Sequence, residues 1–253
     1  MTLDAASLGI LWPAFIAGLL VTATHVPLGM QVLARGIVFV DLAVAQIAGV
    51  GVILADYLGW EPTGTAVQIA ALSAALGCAM ILTWTERRWP EVQEAIIGVV
   101  FVLGSSIAIL LLAHNPRGGE NLKELLIGQI LWVNASHFLT YAAVYAVVLA
   151  LWFGMRERLG RIGFYVLFGC TVTISVQLVG LYLVFATLVL PALSTYYTRS
   201  SRYLKAYSVG VLGYALGLLG SLWLDLPSGA MIVCTMVAVG VLVAFLRGRR
   251  LVA

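Results

Sequence analysis

Long apolar stretches separated by short polar breaks run through almost the whole chain. Their length, more than their periodicity, predicts the secondary structure. A helix that crosses a bilayer core needs about 20 apolar residues. Stretches of that size cover 9–33, 37–58, 64–84, 94–113, 136–154, 204–224 and 228–246. The stretch 164–198 is too long for one ordinary crossing. Gly180 and the polar Ser175-Val176-Gln177 before it predict two shorter crossings with a break near 177–180. The pattern predicts an all-α integral membrane protein, a polytopic helix bundle of about 8–9 transmembrane helices forming a single domain over 1–253. "NLKELLIGQILWV" (121–133) differs: its apolar positions approximate helical spacing beside Lys123, Glu124 and Gln129. It reads as an amphipathic surface helix or a re-entrant gate element.

Composition strengthens this reading. Hydrophobic residues make up 62% of the chain and charged residues 10%, where a soluble domain carries about 25%. Cys78, Cys170 and Cys234 stand alone in apolar runs and suggest neither a zinc site nor a disulfide framework. The first apolar run has no Lys or Arg before it and follows Asp4, so it is expected to be kept as a helix and not cleaved. The net charge of +3 is no argument for nucleic-acid binding, because basic residues in a membrane protein mainly report topology. If the segments alternate and 164–198 crosses twice, 12 of the 14 basic residues fall on one side. That side is then cytoplasmic, with the N-terminus outside and the C-terminus inside.

The chain lacks a GxxxxGK[ST] loop, and its only lysines, Lys123 and Lys205, do not follow glycine. It cannot hold ATP in a P-loop. HExxH and GxSxG are also absent, so hydrolase chemistry has no motif to stand on. "GYALG" (213–217) is a GxxxG pattern, and Gly213 and Gly217 predict close helix packing within the bundle or at a dimer seam.

Polar side chains inside the apolar runs are the functional candidates. An ionisable residue in a membrane helix costs about 2.5–3.5 kcal/mol on insertion scales. Asp41 lies about six residues past the Arg35-Gly36 turn, or about 9 Å into the membrane at 1.5 Å per residue. Gln46, on the same segment, and His25, on the preceding one, both lie about 15 Å from that turn. Imidazole, carboxamide and carboxylate together could line a cation path. Interhelical hydrogen bonding explains His25 or Gln46 equally well; Asp41 is the hardest to bury without a purpose. Pro27, just after His25, frees backbone carbonyls of the kind that line cavities. His114 and His137 flank the outer loop and read as interfacial.

Several segments occur in a telling order: "PLGMQVLARGIVFVDLAVAQIAGVG" (27–51), "EAIIGVVFVLGSSIAILLLA" (94–113), "ELLIGQILWV" (124–133), "VQLVGLYLVFATLVLPALSTYYTR" (176–199) and "LDLPSGAMIVCTMVAVGVL" (224–242). Together they resemble the membrane permease subunit of bacterial metal-ion ABC importers, the zinc/manganese/iron family. The motif-bearing positions are Gly180, Pro191, Pro227 and Gly229. The resemblance implies the permease fold shared by cobalamin and metal importers, placed in the bacterial inner membrane. It implies a second permease subunit, here a second copy of the chain, and ATPase subunits that bind the ATP. An extracytoplasmic solute-binding protein would deliver a divalent metal ion. "MRERLGRIG" (155–163), with Arg156, Glu157, Arg158 and Gly160, occupies the place of the element that couples to the ATPase. The chain itself then carries cargo and lipid contacts but no resident cofactor. The family shows His four residues after the Asp of the second segment. Here that position is Ala45, with Gln46 one further on, which marks a divergent branch. The alternative is an autonomous secondary transporter or channel, which would be expected to show an internal repeat; none is evident.

Overall fold

The computed structural model describes residues 5–60, 64–112, 130–133, 138–198 and 200–248. Among these the chain is helical apart from short turns. The α-helices are, in order, α1 (Ala5–Arg35), α2 (Val40–Tyr57), α3 (Thr65–Arg88), α4 (Gln93–Leu112), α5 (Phe138–Val179), α6 (Leu181–Ser194), α7 (Arg202–Leu224) and α8 (Ser228–Gly248). Single 3₁₀ turns stand at Pro90–Val92 and Ile130–Trp132. Most of 121–133 and both His114 and His137 lie outside the described residues.

Eight stretches among the described residues are long and apolar enough to span a membrane. Two of them are limbs of α5, Phe138–Met155 and Arg158–Val179. Within the first turn of the second limb, Gly160 takes φ 57° and ψ −156°, a conformation open essentially to glycine alone. The break expected near 177–180 falls at Gly180, whose φ of 89° separates α5 from α6. The expected second crossing in 164–198 is shorter than a full span. α6 has 14 residues, or about 21 Å at 1.5 Å per residue, against a hydrocarbon core of about 30 Å.

The chain divides into two compact units. One comprises Met1–Arg35, Ile127–Val147 and Leu178–Ala253; the other comprises Gly36–Leu126 and Val148–Gln177. In the first unit, α1 and α7 pack antiparallel: Gly18 meets Tyr214, Thr22 meets Gly210, and Met30 clusters with Ala206, Val26 and Ala192. α7 and α8 form an antiparallel hairpin. A Cβ on Gly217 would strike the Ile232 backbone, and one on Gly213 would lie 2.8 Å from Met236 Cβ. Gly213 and Gly217 thus let α7 and α8 touch within one chain, the close approach that membrane helices use in place of a hydrophobic driving force. The hairpin turns through Pro227, where Ser221 Oγ donates to Leu226 O at 2.6 Å. Gly229 lies in the first turn of α8. Pro191 lies inside α6, and the Thr195 hydroxyl donates to its carbonyl at 2.8 Å.

In the second unit, α2 packs against α3 and α4. Gly51 lies against Ala70 and Ala74 of α3, while Ile53 clusters with Ala108 and Leu112 of α4. Phe39, at the start of α2, is hydrogen-bonded to Glu94, at the start of α4. The helices α2 and α4 therefore run parallel and begin at the same end of the unit. Large apolar side chains face outward all along the helices, among them Met80, Val99, Leu110, Leu139 and Phe245, as lipid contact requires.

The tightest approach joins α1 to α6, where a Cβ on Gly29 would run into the Leu188 carbonyl oxygen. Gly29→Ala is expected to destabilise the first unit by about 1–3 kcal/mol, the usual cost of overpacking. The measurement is the thermal unfolding midpoint of the purified chain in detergent. An unchanged midpoint would show that α1 and α6 separate freely at this point.

Candidate functional site

Most buried polar groups in this bundle are satisfied inside their own helix. The hydroxyls of Thr22, Thr83, Thr171, Thr173 and Thr187 each donate to the carbonyl four residues earlier, at 2.7–2.8 Å. Between helices, Thr187 Oγ1 and Tyr214 Oη pair at 2.9 Å, and Thr235 Oγ1 donates to Gly213 O at 2.8 Å. This bookkeeping makes the exceptions visible.

Asp41 is the clearest exception. Its side chain is 0% exposed, and neither carboxylate oxygen has a hydrogen-bond partner among the described residues. Leu42 and Asp41 itself supply first-turn N–H groups close to the carboxylate, yet none reaches hydrogen-bond geometry. The start of its helix also differs from the sequence expectation. Ile37, Val38 and Phe39 belong to a turn, and α2 opens only at Val40. Asp41 is thus the second residue of its helix and sits at its mouth.

His25 belongs to the first unit and is also 0% exposed. Its Nδ1 lies 3.0 Å from Val21 O and 3.1 Å from Thr24 Oγ1. A carbonyl only accepts, so Nδ1 carries the proton and donates to Val21 O. Nε2 is left as a lone pair with no partner among the described residues. A backbone-anchored Nδ1–H that presents Nε2 is the arrangement that orients imidazole as a metal ligand. Two residues on, Pro27 has no N–H to give the Ala23 carbonyl. Tyr207 of α7 replaces it, its hydroxyl donating to Ala23 O at 3.0 Å.

Gln46 shares α2 with Asp41 and is 8% exposed. Its stem packs on α4, where a Cβ on Gly104 would come within 3.1 Å of Gln46 Cγ. The structure therefore gathers Asp41 and Gln46 on one helix of the second unit, while His25 lies in the first. In the expected coupling segment, the break in α5 falls at Gly160, two residues after Arg158; the side chains of Arg156 and Glu157 lie outside the described ones.

Sequence reasoning passed over Glu94. It reads as an ordinary first-turn acid at the edge of an apolar run, but it reaches across to α2. The Phe39 N–H donates to Glu94 Oε1 at 3.2 Å, and Glu94 is the charged neighbour that bears on Asp41. Beside it, Gln93 Nε2 donates to Leu82 O of α3 at 3.1 Å. The available signal was the spacing of spans: α2 and α4 are separated by one crossing, so their first turns share an end.

The profile of the ABC 3 transport family matches residues 7–164 and 153–247, nearly the whole chain. The chain belongs to the ABC 3 transport family. An uncharacterized membrane protein of Synechocystis sp. is 26% identical over 242 residues, covering 87% of this chain and 84% of that protein. A Chlamydia muridarum protein, named as a probable metal transport system membrane protein, is 24% identical and covers 90% of this chain and 85% of its own length. Among solved structures, PsaBC of Streptococcus pneumoniae in complex with a Fab superposes with a TM-score of 0.74 at 21% identity, over 92% of this chain and 90% of that one. A metal-chelate type ABC transporter in an inward-facing conformation superposes with a TM-score of 0.70 at 15% identity, over 97% and 90%. This member of the ABC 3 transport family is a membrane protein with the fold of ABC transporter permeases.

Removing the Tyr207 hydroxyl strands the carbonyl that Pro27 frees. Tyr207→Phe is expected to destabilise the α1–α7 pair by about 1 kcal/mol, in the range of hydrogen bonds between membrane helices. Detergent unfolding of the variant, run beside Tyr203→Phe as a control, reads the effect; equal midpoints would contradict it.

Proposed function

We propose that the chain is the permease subunit of an ATP-binding-cassette importer that moves a divalent metal ion into the cell. The observation that carries this reading is Asp41. A transport-family protein keeps a fully buried carboxylate with both oxygens unpartnered among the described residues, which a passing cation would satisfy. The lone pair at His25 Nε2 supports it, since imidazole and carboxylate together suit zinc, manganese and iron. The metal-transport description of the Chlamydia muridarum relative agrees. His25, Asp41 and Gln46 are the residues assigned to the path.

The chain performs no covalent chemistry in this reading. ATPase subunits bind and hydrolyse ATP, a second copy of the permease completes the membrane part, and an extracytoplasmic solute-binding protein delivers the ion. Basic residues support an inner-membrane orientation with the N-terminus outside. Within the first unit, the end of α1 with Arg35 and the start of α7 with Arg202 and Lys205 lie together; within the second, Arg87 and Arg88 end α3 where α2 and α4 begin. Exposed Trp12 and Trp223 mark the opposite end of the first unit, as interfacial aromatics do. The ATPase contact is assigned to the α5 segment with Arg156, Glu157, Arg158 and Gly160.

Three experiments test this. Asp41→Asn is expected to cut metal uptake by about tenfold or more, the usual scale for a lost ligand, with expression and complex assembly intact; unchanged uptake removes Asp41 from the path. Gly160→Ala forces a side chain into a conformation costing about 1–3 kcal/mol, and is expected to lower metal-stimulated ATP hydrolysis in the assembled complex while the isolated ATPase is unaffected. Full stimulation in the variant would place the coupling contact elsewhere. Co-purification of the tagged chain with a P-loop ATPase tests the assembly itself.

A further inference from the structure

We propose that Glu94 is the second carboxylate of the cation path, taking the transported divalent ion together with Asp41 where α2 and α4 begin. This rests on the permease reading above and adds to it a residue on a different helix. Four observations in the second unit support it. Asp41 and Glu94 are each the second residue of their helices, and those helices run parallel from a common end. The Phe39 N–H holds Glu94 Oε1 at 3.2 Å, which fixes the Glu94 side chain against the first turn of α2, two residues from Asp41. That bond uses one oxygen; Glu94 Oε2 is a buried atom with no hydrogen-bond partner among the described residues. Independently, Asp41 is fully buried with both of its oxygens unpartnered among the described residues.

Two neighbouring carboxylates disfavour each other's charge unless a cation lies with them. The open oxygens at this end of the unit, two from Asp41 and one from Glu94, form an all-oxygen set. Oxygen donors select hard divalent ions such as Mn²⁺ over soft ones. Glu94 has two separable duties in this arrangement. One oxygen anchors the start of α2, and a neutral amide oxygen could do the same. The charge serves the ion, and an amide cannot supply it.

The test uses that difference. The full chain, assembled with its ATPase subunits in proteoliposomes, is assayed for Mn²⁺ uptake as wild type, Glu94→Gln, Asp41→Asn and the double variant. Glu94→Gln keeps an acceptor for the Phe39 N–H, so thermal stability is expected to match wild type, while uptake falls by about tenfold or more. The double variant is expected to lose little beyond Asp41→Asn alone, because two ligands of one site are not additive. Wild-type uptake by Glu94→Gln overturns the proposal, leaving Glu94 as an anchor only. Losses that multiply in the double variant overturn it too, since they mark independent roles. If Glu94→Gln fails to assemble, Glu94→Asp, which retains the charge, is compared with Glu94→Ala: higher uptake by the aspartate supports the proposal, and equal uptake overturns it. A wild-type complex that moves no divalent ion at all would instead defeat the permease reading on which the proposal stands.

Discussion

Inside a bilayer a polar group has no water to turn to, so each one must find its partner within the protein. That constraint organises this bundle. Threonines bond back to their own helices, Thr235 reaches the Gly213 carbonyl, and the Tyr207 hydroxyl takes the place of the N–H that Pro27 lacks. The carbonyl freed by Pro27 is therefore part of the α1–α7 contact and not a defect in it. Against so consistent a background, a fully buried carboxylate with no partner among the described residues is informative. It suits the proposed function, in which a passing ion would supply the partner.

Close helix contact meets the same constraint from the side of packing. Lipid provides little drive for apolar helices to associate, so stability comes from fit and from interhelical bonds. Gly29 against Leu188, Gly217 against Ile232 and Gly51 against Ala70 bring backbones together. The first two lie in the unit that carries His25 and the third in the unit that carries Asp41, so each unit has its own seam of small residues. The GxxxG pattern at 213–217 serves the α7–α8 hairpin of a single chain, which gives the motif a use without a dimer.

The spans were legible in the sequence because apolar length is a strong and local signal. So was the break at Gly180, where a polar tripeptide precedes glycine, and so was Asp41, whose charge is conspicuous among apolar neighbours. Helix ends were less legible. "GIVFVD" is uniformly apolar up to Asp41, so nothing in it announced that Ile37–Phe39 turn before α2 opens. The length of α6 was hidden as well, because a run that is apolar on both sides of a glycine does not reveal how it divides. Glu94 was invisible for a different reason. Its significance lies in a hydrogen bond to Phe39, 55 positions away, and a single sequence does not display which helix starts lie side by side.

The parallel course of α2 and α4 has a consequence for how firmly an ion would be held. Each helix N-terminus carries about half a positive charge from its unpaired N–H groups. Asp41 and Glu94 therefore stand in a field that already offsets part of their negative charge. A cation held between them, as proposed, would meet a shallow well instead of a trap. For a storage protein that would be a flaw. For a conduit it would keep the dwell time short, so that the carboxylates proposed to draw an ion inward would also let it leave.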